Sequence, residues 1–174
     1  MTEQGKVLDG LQAAIKMETD GKKFYLKASD QSGNEVGKKL LKTLAGEEDV
    51  HRRNFEAIYE AIRAKKSWPE VGLKQAGKPL LTLFKEATKK LDKTAKVLAT
   101  EIGAVQTAME MENKTYDFYQ RQLKSAASDA EKSFYKALSA QEKQHYRVLL
   151  DYYEFLKDPA AYFVKAEHPS LDGG

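Results

Sequence analysis

Shifting the chain by 94 residues lays one stretch over another without a gap. Met17-Glu18 falls on Met111-Glu112 and Phe24-Tyr25 on Phe118-Tyr119. Leu44 falls on Leu138, Glu48 on Glu142, His51 on His145, and Tyr59-Glu60 on Tyr153-Glu154. The period is too long for a solenoid array. It marks a duplicated unit, and two copies packed together acquire an approximate two-fold axis.

The unit is a helical hairpin. Helical periodicity runs from about Val7 to Ser29, and Gln31-Ser32-Gly33-Asn34 then reads as a turn. In it Gly33 suits a left-handed stop and Asn34 an N-cap. A second helix runs to about Lys66, where Trp68-Pro69 should break it. The second hairpin has one helix from about Lys96 to Ala126 and another ending near Asp158-Pro159. Ser128-Asp129-Ala130-Glu131 carries the capping-box pattern at the start of the latter. The expected organisation is one domain over 1–174: hairpins at 7–66 and 96–158, a crossover at 67–95, and an irregular tail at 159–174. The crossover carries Gly72, Gly77 and Pro79 and a short helix from Leu80 to Lys90. Two hairpins joined by a long crossover predict an all-α four-helix bundle with ferritin-like connectivity.

Each helix has an apolar stripe interrupted at its middle by acid. The second reads Leu41, Leu44, Glu48, His51, Phe55, Ile58, Ile62, in alternating steps of three and four that define one face. The last repeats it as Tyr135, Leu138, Glu142, His145, Leu149, Tyr152, Leu156. The first has Val7, Leu11, Ala14, Glu18, Gly21, Tyr25, Ala28, and the third Val105, Ala108, Glu112, Thr115, Tyr119. Four carboxylates converging in a core cost several kcal/mol each unless compensated, and no Lys or Arg lies on any stripe. Two divalent cations would balance them, with one imidazole for each. A Glu from each of two helices and Glu-x-x-His from the other two is the recurring ligand set of di-iron and di-manganese bundles. The predicted metal ligands are therefore Glu18, Glu48, His51, Glu112, Glu142 and His145.

A single Glu-x-x-His is a weak signal, since exposed Glu–His neighbours on helices are common. Here two of the three histidines share the motif, and each of those two histidines has a glutamate 33 residues before it. Tyr25 and Tyr119 lie two turns beyond Glu18 and Glu112 on the same faces. They are read either as hydrogen-bonding to the ligand carboxylates or as core aromatics whose hydroxyls find any acceptor. Phe24, Phe118, Met17 and Met111 read as packing residues, and Glu47, Asp49 and Glu110 as surface charges off the ligand face. His168, in the tail, is not expected to be a ligand.

Composition narrows the rest. Without cysteine there is no disulfide, zinc–thiolate site, iron–sulfur cluster or thiol catalysis in this sequence. The 29 basic and 26 acidic residues are dispersed, with no basic stripe interleaved with aromatics, so nucleic acid is not an expected partner. The polar start, Met1 to Lys6, shows no signal peptide, and no apolar run is long enough to span a bilayer. A soluble, cytoplasmic protein without membrane contact is the expectation.

The repeated Met-Glu and Phe-Tyr pairs with both Glu-x-x-His motifs resemble the rubrerythrin-like branch of the ferritin-like superfamily. Leu83-Phe84-Lys85-Glu86-Ala87 and the ending Glu167-His168-Pro169-Ser170-Leu171-Asp172-Gly173 are similar to short members of that branch. The resemblance implies a non-haem di-iron oxidoreductase in oxidative-stress defence, in which a reduced centre gives two electrons to hydrogen peroxide or reacts with dioxygen. It differs in two respects. Rubrerythrins proper carry a rubredoxin-type four-cysteine iron site, so re-reduction here would need an external donor such as a rubredoxin-like protein. They also place a second glutamate three residues after the first on their third helix, where this chain has Thr115, repeat partner of Gly21. Manganese catalase, a ferroxidase or iron-handling protein, and an interaction module with structural metals remain alternatives. Oxygen and imidazole ligands suit iron and manganese alike. A homodimer is the default expectation.

Overall fold

In the computed structural model, which describes residues 2–73, 80–89 and 98–162, the chain forms α1 (Glu3–Gln31), α2 (Glu35–Arg63), α3 (Leu80–Thr88), α4 (Ala99–Ser125) and α5 (Asp129–Lys157). It is an all-α, ferritin-like four-helix bundle. Helices α1 and α2 form one tight hairpin and α4 and α5 the other. Between hairpins, α1 lies beside α4 and α2 beside α5, while α3 packs on α5 and α2. The repeat reaches the level of helix ends: α2 and α5 have 29 residues each, start and stop in the same register, and are capped at equivalent positions. Asn34 accepts a hydrogen bond from Gly37 N–H, and Ser128 accepts one from Glu131 N–H. The Glu131 carboxylate completes the exchange one residue early, on Ala127 N–H at 3.0 Å rather than on the cap residue.

Several boundaries differ from expectation. Helix α1 begins at Glu3 because the Thr2 side chain caps it. It ends before Gly33, where Ser32 turns to extended backbone. Helix α2 stops at Arg63, short of Trp68-Pro69. Lys65 adopts a left-handed conformation (φ 57°), with Lys66 N–H on Ala61 O and Lys65 N–H on Ile62 O, both at 3.0 Å. That is a Schellman closure made without glycine, so the break precedes the proline and has another cause. Pro159 opens a further helical turn through Tyr162 instead of an irregular tail, because Asp158 Oδ1 accepts from Ala161 N–H at 2.9 Å. The expected start at Lys96 and the features at Gly77, Pro79, Lys90 and residues 163–174 lie outside the described residues.

The core divides into two apolar clusters. One, toward the α1–α2 turn, contains Leu40, Leu41, Leu44, Val105, Ala108, Leu149, Tyr152 and Phe155. The other contains Leu11, Ala14, Phe55, Ile58, Tyr119, Phe134, Tyr135 and Leu138. Their sequence positions bracket the glutamates and histidines at mid-helix, so apolar packing closes the bundle on both sides of them. The α1–α2 turn is pinned by buried Glu101 of α4. Its carboxylate accepts hydrogen bonds from Ser32 Oγ, Tyr152 Oη, Gly33 N–H and Asn34 Nδ2.

Gly37 is what lets Tyr152 reach that carboxylate. A Cβ at Gly37 would overlap the Tyr152 hydroxyl and lie 2.6 Å from Ser32 Oγ. Alanine is the better helix former by about 1 kcal/mol, but overpacking costs about 1–3 kcal/mol and here also evicts a hydrogen-bonded hydroxyl. Gly37→Ala is therefore expected to lower stability by about 2 kcal/mol on balance. Chemical denaturation tests this; an unchanged or raised midpoint would mean the turn is not locked by Tyr152.

Candidate metal centre

The six predicted ligands come from four helices. Glu18 lies on α1, Glu48 and His51 on α2, Glu112 on α4, and Glu142 and His145 on α5. The structure brings all six together, and none is more than 4% exposed. They form two overlapping groups: Glu18, Glu48 and His51, and Glu48, Glu112, Glu142 and His145. Within each, the potential ligand atoms lie within 4.8 Å of one another. His51 Nδ1 is 3.4 Å from both Glu18 Oε2 and Glu142 Oε1. His145 Nδ1 is 3.2 Å from Glu48 Oε1 and 3.4 Å from Glu112 Oε2. Glu48 and Glu142 thus stand between the two positions, with Glu18 and Glu112 at the flanks.

The hydrogen bonding shows what the cluster lacks. Nine buried side-chain nitrogen or oxygen atoms have no partner among the described residues, and seven belong to these six side chains. They are Glu18 Oε2, Glu48 Oε1, Glu112 Oε2, both Glu142 oxygens, and Nδ1 of each histidine. Orphaned buried acceptors are costly, and these converge in one place. No Lys or Arg pairs with the four carboxylates among the described residues; their charged neighbours are histidines. The donor set, carboxylate oxygen plus imidazole nitrogen around two positions, fits a pair of transition-metal ions.

That same crowding sets the electrostatics of the metal-free protein. Burial, then the Glu48 charge and a hydrogen bond with it, raise Glu18 well above the carboxylate range. Burial and the charges of Glu112 and Glu48 do the same to Glu142. Burial would raise Glu48 too, but hydrogen bonds with Glu18 and His145 and the charges of both histidines hold it below the usual value. His51 is lowered, chiefly by burial. His145 is raised: burial opposes its charge, and Glu112, Glu47 and Glu48 outweigh that. Glu18, Glu142 and His145 are thus biased toward their protonated forms, and Glu48 and His51 toward their deprotonated forms.

Around it, two tyrosines reach across the bundle. Tyr25 Oη donates to Glu112 Oε1, and Tyr119 Oη donates to Glu18 Oε1. Each holds the glutamate of the opposite hairpin, leaving the other oxygen of that carboxylate facing the site. Phe24 and Phe118 pack edge-on against these tyrosines. Thr115 donates to Met111 O at 3.1 Å in its own helix.

Glu47 needs correction. It is not a free surface charge: its Oε2 lies 2.7 Å from His145 Nε2. Gln141, related to it by the repeat, places Oε1 2.6 Å from His51 Nε2. Sequence reasoning missed both because they sit one residue off the stripe. Their signal was available, since each immediately precedes a motif glutamate and each is polar. Asp49, by contrast, pairs with Lys22 and Arg52, and Glu110 is exposed. His168 lies outside the described residues.

The rubrerythrin family model matches residues 9–153, which takes in both hairpins and all six clustered side chains. The chain belongs to the rubrerythrin family. No curated protein and no solved structure matches it. Within the rubrerythrin frame, the buried carboxylate–histidine cluster is the feature that fits a di-iron site. No described helix is long and apolar enough to cross a membrane.

Proposed function

We propose that this chain is a dinuclear oxidoreductase of rubrerythrin type, loaded with iron, that reduces hydrogen peroxide. The observation that carries the reading is the convergence of seven orphaned ligand atoms on two overlapping positions, in a chain of the rubrerythrin family. When bound, a pair of ferrous ions supplies the two electrons that, with two protons, reduce one peroxide to two waters. The residues do the positioning. Glu48 and Glu142 each face both positions and can serve both ions. Glu18 and Glu112 are steadied by Tyr119 and Tyr25. The apolar clusters on either side limit bulk water. With no cysteine in the chain, electrons for the next turnover come from a separate one-electron carrier, such as a rubredoxin-like protein.

One observation favours a second reading, manganese catalase, which needs no donor. Thr115 stands where a further ligand glutamate would be, and its hydroxyl is committed to Met111 O. Its repeat partner Gly21 has no side chain. Six ligands remain, and ligand environment tunes such centres.

Stopped-flow mixing of anaerobic diferrous protein separates the two. Peroxide is expected to oxidise the centre much faster than dioxygen does, consuming about one peroxide per site with no oxygen released. Sustained oxygen evolution by manganese-loaded protein, with a sluggish peroxide reaction of the iron form, would establish the catalase instead. Rapid turnover of added ferrous iron in air would point to a ferroxidase.

A further inference from the structure

The two halves of the centre share the same two ligand types, glutamate and histidine, but differ one bond further out. His51 Nε2 meets the Gln141 side-chain oxygen. The amide is oriented by its own second bond, since Gln141 Nε2 donates to Leu73 O at 3.3 Å. With oxygen facing the ring, His51 must donate from Nε2 and present the Nδ1 lone pair to the carboxylates. His145 also donates from Nε2, but to a carboxylate: its Nε2–H points at Glu47 Oε2. Glu47 has no Lys or Arg partner among the described residues, and its side chain is 29% exposed. Both rings thus donate from Nε2, one to a neutral amide and the other to an acid.

A carboxylate behind a ligating imidazole raises the basicity of the ligand nitrogen and adds negative charge close to the ion. Glu48 and Glu142 are shared, and Glu18 and Glu112 are equivalent by the repeat, each held by one tyrosine. The Glu47/Gln141 difference is the asymmetry in what stands behind the two histidines. We infer that Glu47 makes the two metal positions inequivalent, so that the first divalent ion enters at the His145 position and the ion beside His51 follows. Glu47 is a positioning residue here: it acts through His145. The inference rests on the dinuclear reading of the centre.

The test uses zinc ion and protein with 15N-labelled histidine rings, and needs no turnover. Mutual repulsion would give two binding steps even at identical positions, so the readout must say which position fills. His168→Gln identifies the third histidine, and Glu47→Gln displaces the Nε2–H signal of His145 and so identifies it. With one equivalent of zinc, the His145 Nδ1 signal is expected to move with a preference of about 10-fold or more over His51, the lower end of what outer partners contribute. Glu47→Gln should reduce that preference to near unity. The exchange variant E47Q/Q141E keeps the total charge and should reverse the order of filling. If both zinc ions bind but the order is the same in wild-type protein and the exchange variant, the inference fails and the dinuclear reading stands. If the wild-type protein binds no zinc, or one ion only, the reading of the centre fails and the inference with it.

Discussion

Loading the metal-free chain with ferrous or manganous ion is expected to raise its melting temperature by about 15 °C or more. At free ion a thousand-fold above the dissociation constant, each site adds about 4 kcal/mol to the folded state. Two sites add about 8 kcal/mol, and a chain of this size gains about 2–4 °C per kcal/mol. Weak binding of ions to the unfolded chain trims the total. The shift should also be larger at pH 8 than at pH 5.5. Glu18 and Glu142 have raised values in the metal-free fold. Their contribution is complete below the ordinary carboxylate value and is lost as pH climbs through the folded values. Glu48 has the opposite sign, but its contribution is present above the ordinary value and so is already complete at pH 5.5. The histidines oppose one another: raised His145 loses its contribution as pH rises, and lowered His51 gains one. Metal must displace the carboxyl protons, so its affinity grows with pH. Calorimetry with and without metal at the two pH values measures this. An unchanged melting temperature, or a larger shift at pH 5.5, would mean the carboxylates are not held together for a cation.

How much of this was legible in the sequence follows from which interactions have a period. The stripes on α1, α2, α4 and α5 recur every three or four residues because burial is set by helix phase, and the 94-residue repeat doubled that signal. The six converging side chains all lie on those stripes. Off the stripes the exposed Glu110 was read correctly, but other residues were misread or missed. Glu47 looked like a solvated charge because its phase is one residue wrong, yet His145 on the neighbouring helix is close enough for a flanking side chain to reach. Glu101 has no repeat partner of its kind, Val7 standing in its place, so nothing in the pattern marked it as the buried anchor of a distant turn. Helix ends failed for a different reason. Lys65 takes a left-handed conformation that lysine does not advertise, and the closure is specified by backbone hydrogen bonds rather than by residue type.

The second large effect separates binding from folding. Glu142→Gln is expected to cut the stoichiometry from two metal ions to one or none, with affinity down by about 100-fold or more, since even outer partners contribute 10–100-fold. The same change should raise the stability of the metal-free protein. Both Glu142 oxygens are orphaned, as are Glu112 Oε2 and Glu48 Oε1 nearby. An amide of the same shape stays neutral without taking up a proton and supplies two N–H donors to those acceptors. A hydrogen bond to a charged group is worth about 1.5–3 kcal/mol, part of which the amide loses in its own imperfect pairing, leaving a gain of a few degrees in melting temperature. Glu48→Gln should lose metal to a similar degree, because the repeat makes the two positions equivalent in the ligand set. Its metal-free stability should not rise in the same way. The Glu48 carboxyl is held below the usual value by its neighbours Glu18 and the two histidines, and neutralising it removes the counter-charge that the histidines face. Exposed Glu110→Gln serves as the control and should change neither quantity. Metal analysis and thermal melts of the three variants decide the matter. Wild-type metal content in Glu142→Gln would remove it from the ligand set. A metal-free Glu142→Gln protein that melts well below wild type would show that this carboxylate is there to hold the fold, whatever ion it also binds.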